Sequence, residues 1–328
     1  MAVGAIAWPR MSSLPATSEL TGRRRVRDWI GDRLLLVLTA GASLAAVVLI
    51  GLIAYKILHG AHLAFSSFGL SFVKGKAWDA NHKMFGALPG LYGTAVTSLI
   101  ALVIATPLAL AIALFLSELA PTWARVVVGS LVETLAAIPS VVYGIWALYV
   151  LGPWTFDHIE TPVSDRFGFI GWLSSPSPRS LFTASLVLAV MILPTLTAVS
   201  RDVIRAVPRG MKENAVALGA TWWETNWRVI LPSARSGIIG ATILALGRAL
   251  GETIAVTMII GNNYQIPPSI FSPAYTLASV IANEFTEATG VLYPAALVEL
   301  GLVLILVTLT LNVIAMLLVR STAARAAI

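Results

Sequence analysis

The chain has 328 residues, of which 57% are hydrophobic and only 12% charged, and its mean hydropathy is +0.84. Soluble domains carry about 25% charged residues, so this composition excludes an ordinary soluble protein and indicates an integral membrane protein. The net charge of +6 fits basic loops beside a membrane better than nucleic-acid binding, and the absence of cysteine excludes disulfides and thiolate metal sites.

Residues 1–33 are polar and carry Arg10, Arg23, Arg24, Arg25, Arg27 and Arg33, read as a cytoplasmic tail that signals topology. The apolar run 34–58 is far longer than the ~7–15-residue core of a signal peptide and lacks a clear cleavage site, so it reads as a retained first transmembrane helix. Five more apolar runs, at about 91–116, 124–152, 180–200, 236–261 and 294–319, reach the about 20 residues a helix needs to cross a bilayer. With the N-terminus inside, most of the 22 Lys and Arg residues fall in cytoplasmic segments and both termini are cytoplasmic. The segment 59–90 is then extracytoplasmic, 91–320 is the core domain with five spans, and 321–328 is a short cytoplasmic tail.

The segments expected outside are rich in Pro, Gly, Ser and aromatics, as loops should be. The last of them, 262–293, has a helical pattern from Tyr275 to Ala288 with apolar Leu277, Val280, Ile281 and Phe285. It suits a docking surface, a re-entrant element or packing on its own bundle. All four histidines (His59, His62, His82, His158) fall in outer segments, and no metal site is expected from them. Pro107, Pro139 and Pro194 lie inside expected spans, which is tolerated in membranes where neighbours satisfy the freed carbonyls.

Between the fourth and fifth runs lies an island of polar and aromatic residues, within about 201–235. Pro208 suits the first turn of a helix, and Gly219 sits where that helix would close in the left-handed conformation. Thr221 with Glu224 spells a capping box for a second short helix, which Pro232 is expected to end. The pattern is E-x-A-x3-G-x9-V-x-L-P, carried by Glu213, Ala215, Gly219, Val229, Leu231 and Pro232. It resembles the EAA loop of ABC-importer permeases, a cytoplasmic helix–turn–helix that docks into an ATPase subunit. Asn214 and Val229 depart mildly from the usual Ala and Ile, and neither threatens the helices.

No phosphate-binding G-x4-G-K-[ST] loop, H-E-x-x-H or G-x-S-x-G motif is present, so catalysis within the chain is unsupported. The informative residues are instead charges inside expected spans: Glu133, Arg248, Glu252 and Glu299. A charge facing lipid at mid-bilayer costs about 2.5–3.5 kcal/mol on the insertion scale, so these should face the bundle or a wet path. Arg248 and Glu252 lie four apart, close enough to pair on one helix face. They either neutralise each other structurally, or Arg248 meets an anion while Glu252 sets its position. Gly247 and Gly251 make a small-x3-small step suited to close approach by a second subunit's helix. Glu133 and Glu299 are candidates for gating or structure.

Four further blocks sharpen the resemblance: AAIPSVVYGIWALYVLGP (Ala136–Pro153), ALGRALGET (Ala245–Thr253), TLAS-x-IA-x-E (Thr276–Glu284) and LVELGLVL (Leu297–Leu304). Together they are similar to the phosphate-specific ABC-importer permeases of the PstC type, over about residues 90–320. That resemblance implies an all-α membrane protein of six transmembrane helices, the type I (MetI-like) permease bundle. It implies a phosphate importer in a prokaryotic cell membrane, with Glu213, Ala215, Gly219, Leu231 and Pro232 coupling to the ATPase. The family's fifth-span Arg and Glu, implicated in transport, carry over to Arg248 and Glu252. Implied partners are a sister permease (PstA type), two ATP-binding subunits (PstB type) that use ATP-Mg, an extracytoplasmic phosphate-binding protein (PstS type) and membrane lipid. No nucleic acid and no cofactor of its own are implied. Sulfate or molybdate is the alternative cargo. A secondary anion transporter would use the same buried charges but need no EAA-like loop, and a scaffold would tolerate any residue at Gly219.

Overall fold

A computed structural model of the chain describes residues 18–324 and divides it into two units between Lys56 and Ile57. The described part of the first unit is the earlier part of helix α1 (Ser18–Phe68), in which the candidate span Gly31–Phe68 has a mean hydropathy of 2.5. Helix is therefore already present within the expected polar tail at Ser18, the first described residue, and continues ten residues beyond Leu58. Residues 1–17 and 325–328 of the two expected tails lie outside the described residues.

The second unit carries α2 (Leu88–Leu119), α3 (Thr122–Ala137), α4 (Ser140–Phe167), α5 (Leu181–Arg205), α6 (Arg209–Ala217), α7 (Trp222–Gly251), α8 (Ile254–Ile259), α9 (Leu277–Glu284) and α10 (Leu292–Ala324). A two-stranded antiparallel hairpin, β1 (Trp78–Asp79) with β2 (Met84–Phe85), pairs Trp78 with Phe85. Among the described residues five helices are long and apolar enough to cross a membrane, and α3 with α4 makes a sixth if the pair is one span.

That pair corrects the expected single span at 124–152, because α3 and α4 are bent by 94°. The break sits at Ile138–Pro139, both in extended conformation. Proline disfavours helical geometry in the residue before it and cannot bond the carbonyl four residues back. That carbonyl belongs to Leu135, and the Tyr143 hydroxyl donates to it at 2.8 Å, so the bend leaves it satisfied. Pro107 and Pro194, by contrast, lie inside helices that continue past them. The expected span 236–261 is also interrupted: α7 stops at Gly251, Glu252 is extended (ψ 125°), and helix resumes at Ile254.

Helix α5 is the centre of the bundle, the most buried of the candidate spans. Ala101, Ala105 and Ala109 recur every four residues on one face of α2 and pack with Leu188, Ile192 and Leu196 of α5. Small residues at that spacing let helix backbones approach where no hydrophobic effect drives them together. Ala241, Ala245 and Ala249 bring one face of α7 into the same cluster.

Helix α9 falls within the expected Tyr275–Ala288 stretch and packs on its own bundle. Thr276 caps it, accepting from the Ser279 N–H at 3.2 Å, and the Ser279 hydroxyl accepts from the Thr276 N–H at 2.8 Å. Leu277 and Val280 are buried with Ala296 and Leu300 of α10. Gly93 of α2 explains the closeness: a Cβ there would stand 2.0 Å from the Tyr275 carbonyl oxygen. Burial pushes the Tyr275 phenol up to about 12, partly opposed by the hydrogen bond it accepts from Asn283 (2.8 Å). It stays a neutral hydroxyl that donates to Glu284 at 3.3 Å.

At the start of α5, fully buried Glu160 ties α4 to the bundle. It accepts from Ser180 Oγ (2.6 Å), Thr183 Oγ1 (2.8 Å) and the Ser177 N–H (3.3 Å), and Ser180 is itself the N-cap of α5. Glu160→Ala removes the charged acceptor that Ser180, Thr183 and the Ser177 N–H share and is expected to cost about 1.5–3 kcal/mol. Thermal unfolding of the purified protein should fall by several degrees for Glu160→Ala and less for Glu160→Gln, which keeps an acceptor. Equal midpoints for the native protein and Glu160→Ala would show that this contact holds nothing.

Candidate functional site

The helix–turn–helix forms by the local chemistry of its sequence. Gly219 has φ +85°, a conformation that side-chain-bearing residues disfavour, and it closes α6. The Ala220 N–H reaches the Ala215 carbonyl (3.1 Å) and the Gly219 N–H reaches Val216 (2.9 Å), a paired closure of the helix end. The capping box is present: the Glu224 N–H donates to Thr221 Oγ1 (3.3 Å) and the Thr221 N–H to Glu224 Oε2 (3.0 Å). Lys212 forms an ion pair with Glu118, and Arg205 donates to the Leu116 carbonyl (3.5 Å), so the motif is anchored to the end of α2.

Pro232 does not end the second helix. Trp222–Gly251 is one continuous helix that widens into a π turn at Asn226–Ile230, and Pro232 stands in the first turn of the α-helical stretch after it. There a missing N–H is tolerated. The second arm of the motif and the following span are therefore one continuous helix. Of the remaining motif residues, Glu213 is exposed, Ala215 half-buried and Leu231 buried. Around them Leu218 (89% exposed), Trp223 and Trp227 present an apolar surface that none of the described residues covers.

The intramembrane charges separate. Arg248 and Glu252 do not pair, because α7 ends at Gly251 and the extended Glu252 leaves the face that Arg248 occupies. The Glu252 carboxylate instead accepts from the Ala255 N–H (3.5 Å), capping α8. Glu133 lies 4.0 Å from Arg201 of α5 with its side chain 69% exposed, and Glu299 is buried in α10, 3% exposed. Arg248 is exposed and makes no ion pair or hydrogen bond among the described residues.

Arg248 lines a cavity of about 740 Å³ walled by α5, α7 and α10. Gly240, Leu244 and Gly247 line it from α7, Thr195 from α5 and Asn312 from α10. A Cβ added at Gly240, Gly247 or Gly251 would meet nothing within 4 Å. None of the described residues packs on these glycines, so this face of α7 is open. Arginine keeps its charge in any site and offers forked donors that match tetrahedral oxyanions. Thr195 and Asn312 are not singled out by charge or spacing; the one signal is a polar residue in an apolar run. Among the described residues no three His, Cys, Asp or Glu side chains are grouped to hold a metal ion.

Comparison with known proteins places this architecture. The profile of the family described as "Binding-protein-dependent transport system inner membrane component" matches residues 105–327. The phosphate transport system permease protein PstC of Mesorhizobium japonicum is 42% identical over 308 residues, covering 92% of this chain and 94% of that one. PstC of Pasteurella multocida is 46% identical over 266 residues, covering 80% and 83%. A bacterial ABC transporter involved in import of the acidic polysaccharide alginate superposes with a TM-score of 0.58 at 18% identity, over 92% of this chain and 98% of that one. That likeness supports the fold alone. The chain thus belongs to the binding-protein-dependent transport inner-membrane family and, within it, to the PstC group of phosphate transport system permeases.

Proposed function

We propose that this chain is the PstC-type half of the membrane pathway of an ATP-driven phosphate importer, with Arg248 as the anion contact of that pathway. The observation that carries the site is Arg248 itself: a permanent cation on a cavity wall, with no acidic partner among the described residues. An unpaired charge in such a setting is stabilised when an anion passes. The open glycine face of α7 suits a second permease of the PstA type, which would complete the pathway. As a permease and not an ATPase, the chain draws its energy from partner subunits, here two of the PstB type, with a PstS-type binding protein delivering phosphate outside.

The helix–turn–helix, with its uncovered apolar surface, is the coupling element in this reading, and the basic residues near it support a cytoplasmic position for it and for both termini. ATP-driven closure of the ATPases displaces α6, and the continuous α7 carries that motion to the Arg248 cavity, opening one gate as the other closes. The anion sheds water against Arg248 and is released because the contact is transient. The test is ATP-driven uptake of labelled phosphate into vesicles holding the complete assembly, with sulfate and molybdate as competitors. Phosphate uptake that neither competitor suppresses is expected. Uptake of sulfate without phosphate would overturn the cargo assignment.

A further inference from the structure

We propose that Thr195 and Asn312 act with Arg248 as anion-contact residues that recognise phosphate through its O–H. The inference rests on the reading of Arg248 as an anion contact. Among the described residues these three are the ones with polar side chains lining the cavity, and they come from three helices, α5, α7 and α10. The rest of the wall is glycine, aliphatic residues and Met316.

Several hydroxyls in these helices return to their own backbone, although Thr197 of α5 and Thr225 of α7 are buried without a partner. Thr310 donates to the Leu306 carbonyl (2.7 Å), Thr242 to Ile238 (3.0 Å) and Ser185 to Leu181 (2.8 Å). Thr195 makes no such bond, and the Asn312 amide has no hydrogen-bond partner among the described residues. Both side chains are half-buried, so their polar groups are left to whatever occupies the cavity.

The chemistry separates their role from that of Arg248. A guanidinium has five donors and no acceptor, so it attracts phosphate and sulfate alike. At neutral pH phosphate retains at least one O–H and sulfate retains none. An amide edge presents a donor beside an acceptor, matching a P–O⁻ next to a P–OH, and the Thr195 oxygen adds a second acceptor. Against sulfate the same acceptors face oxygens that carry no hydrogen. A site built to pair a hydroxyl discriminates strongly against an analogue that lacks it.

The test uses the complete importer in vesicles, with phosphate uptake and ATP hydrolysis measured together. Asn312→Leu and Thr195→Val should each raise the ATP hydrolysed per phosphate moved about tenfold, because delivery and closure continue while passage slows. Asn312→Gln, which keeps donor and acceptor, should restore coupling, and Asn312→Lys, which supplies donors and charge but no acceptor, should not. A structural role alone would lower hydrolysis and uptake together and leave their ratio unchanged. An unchanged ratio in both Asn312→Leu and Thr195→Val overturns the proposal, and native coupling in Asn312→Lys overturns its acceptor component. A native assembly that moves sulfate and no phosphate would instead overturn the cargo assignment beneath it.

Discussion

Arg248→Gln is expected to lower ATP-driven phosphate uptake about 10- to 100-fold, with assembly and ATP hydrolysis unaffected. The magnitude is that of losing one hydrogen bond to a charged group, about 1.5–3 kcal/mol. Separation of transport from assembly follows from the geometry, because Arg248 is exposed and has no ionic or hydrogen-bonded partner among the described residues to strand. Glutamine keeps donors and much of the length, so the change isolates charge and the forked geometry. Arg248→Lys should recover part of the rate, since an ammonium retains the charge but not the planar fork. Uptake in Arg248→Gln within twofold of native, at equal protein levels, would reduce Arg248 to a residue that merely lines the cavity.

The second large effect is expected at Gly219. Gly219→Val should abolish most uptake, whereas Gly219→Asn should keep most of it. Space is not the issue, because a Cβ at this position meets nothing within 4 Å. Conformation is: φ is +85°, where a β-branched residue is strained by about 1–3 kcal/mol and asparagine is better tolerated. Helix α6 has only nine residues, too few to hold its shape without its caps. Strain at its closure therefore moves Glu213 and the exposed apolar surface out of register with an ATPase. The measurement is phosphate uptake beside pull-down of the ATPase subunits, and the expected signature is loss of uptake with weakened association. Equal behaviour of Gly219→Val and Gly219→Asn would show that the left-handed turn plays no part in coupling.

Much of this was legible along the chain because it depends on local rules. The Gly219 closure and the Thr221–Glu224 box each arise from residues within five positions, and both are present. Spans are legible since every apolar run must meet the same bilayer thickness. Pro232 misled for a related reason: proline ends helices in general, but the π turn before it supplied a place where its missing N–H does no harm.

The sequence by itself determined a multi-pass helical membrane protein, its EAA-like helix–turn–helix, and the blocks that carry its family likeness. Only the tertiary structure decided that Pro139 makes a 94° bend, since Pro107 and Pro194 read the same in sequence and leave their helices continuous. Only it separated Arg248 from Glu252, because four-residue spacing implies a pair just where the helix persists, and α7 stops between them. It alone joined Thr195, Arg248 and Asn312, residues from three helices far apart in the chain, around one cavity. Spacing governs contacts along an element, and packing governs contacts between elements; a pathway lined by several helices belongs to the second kind.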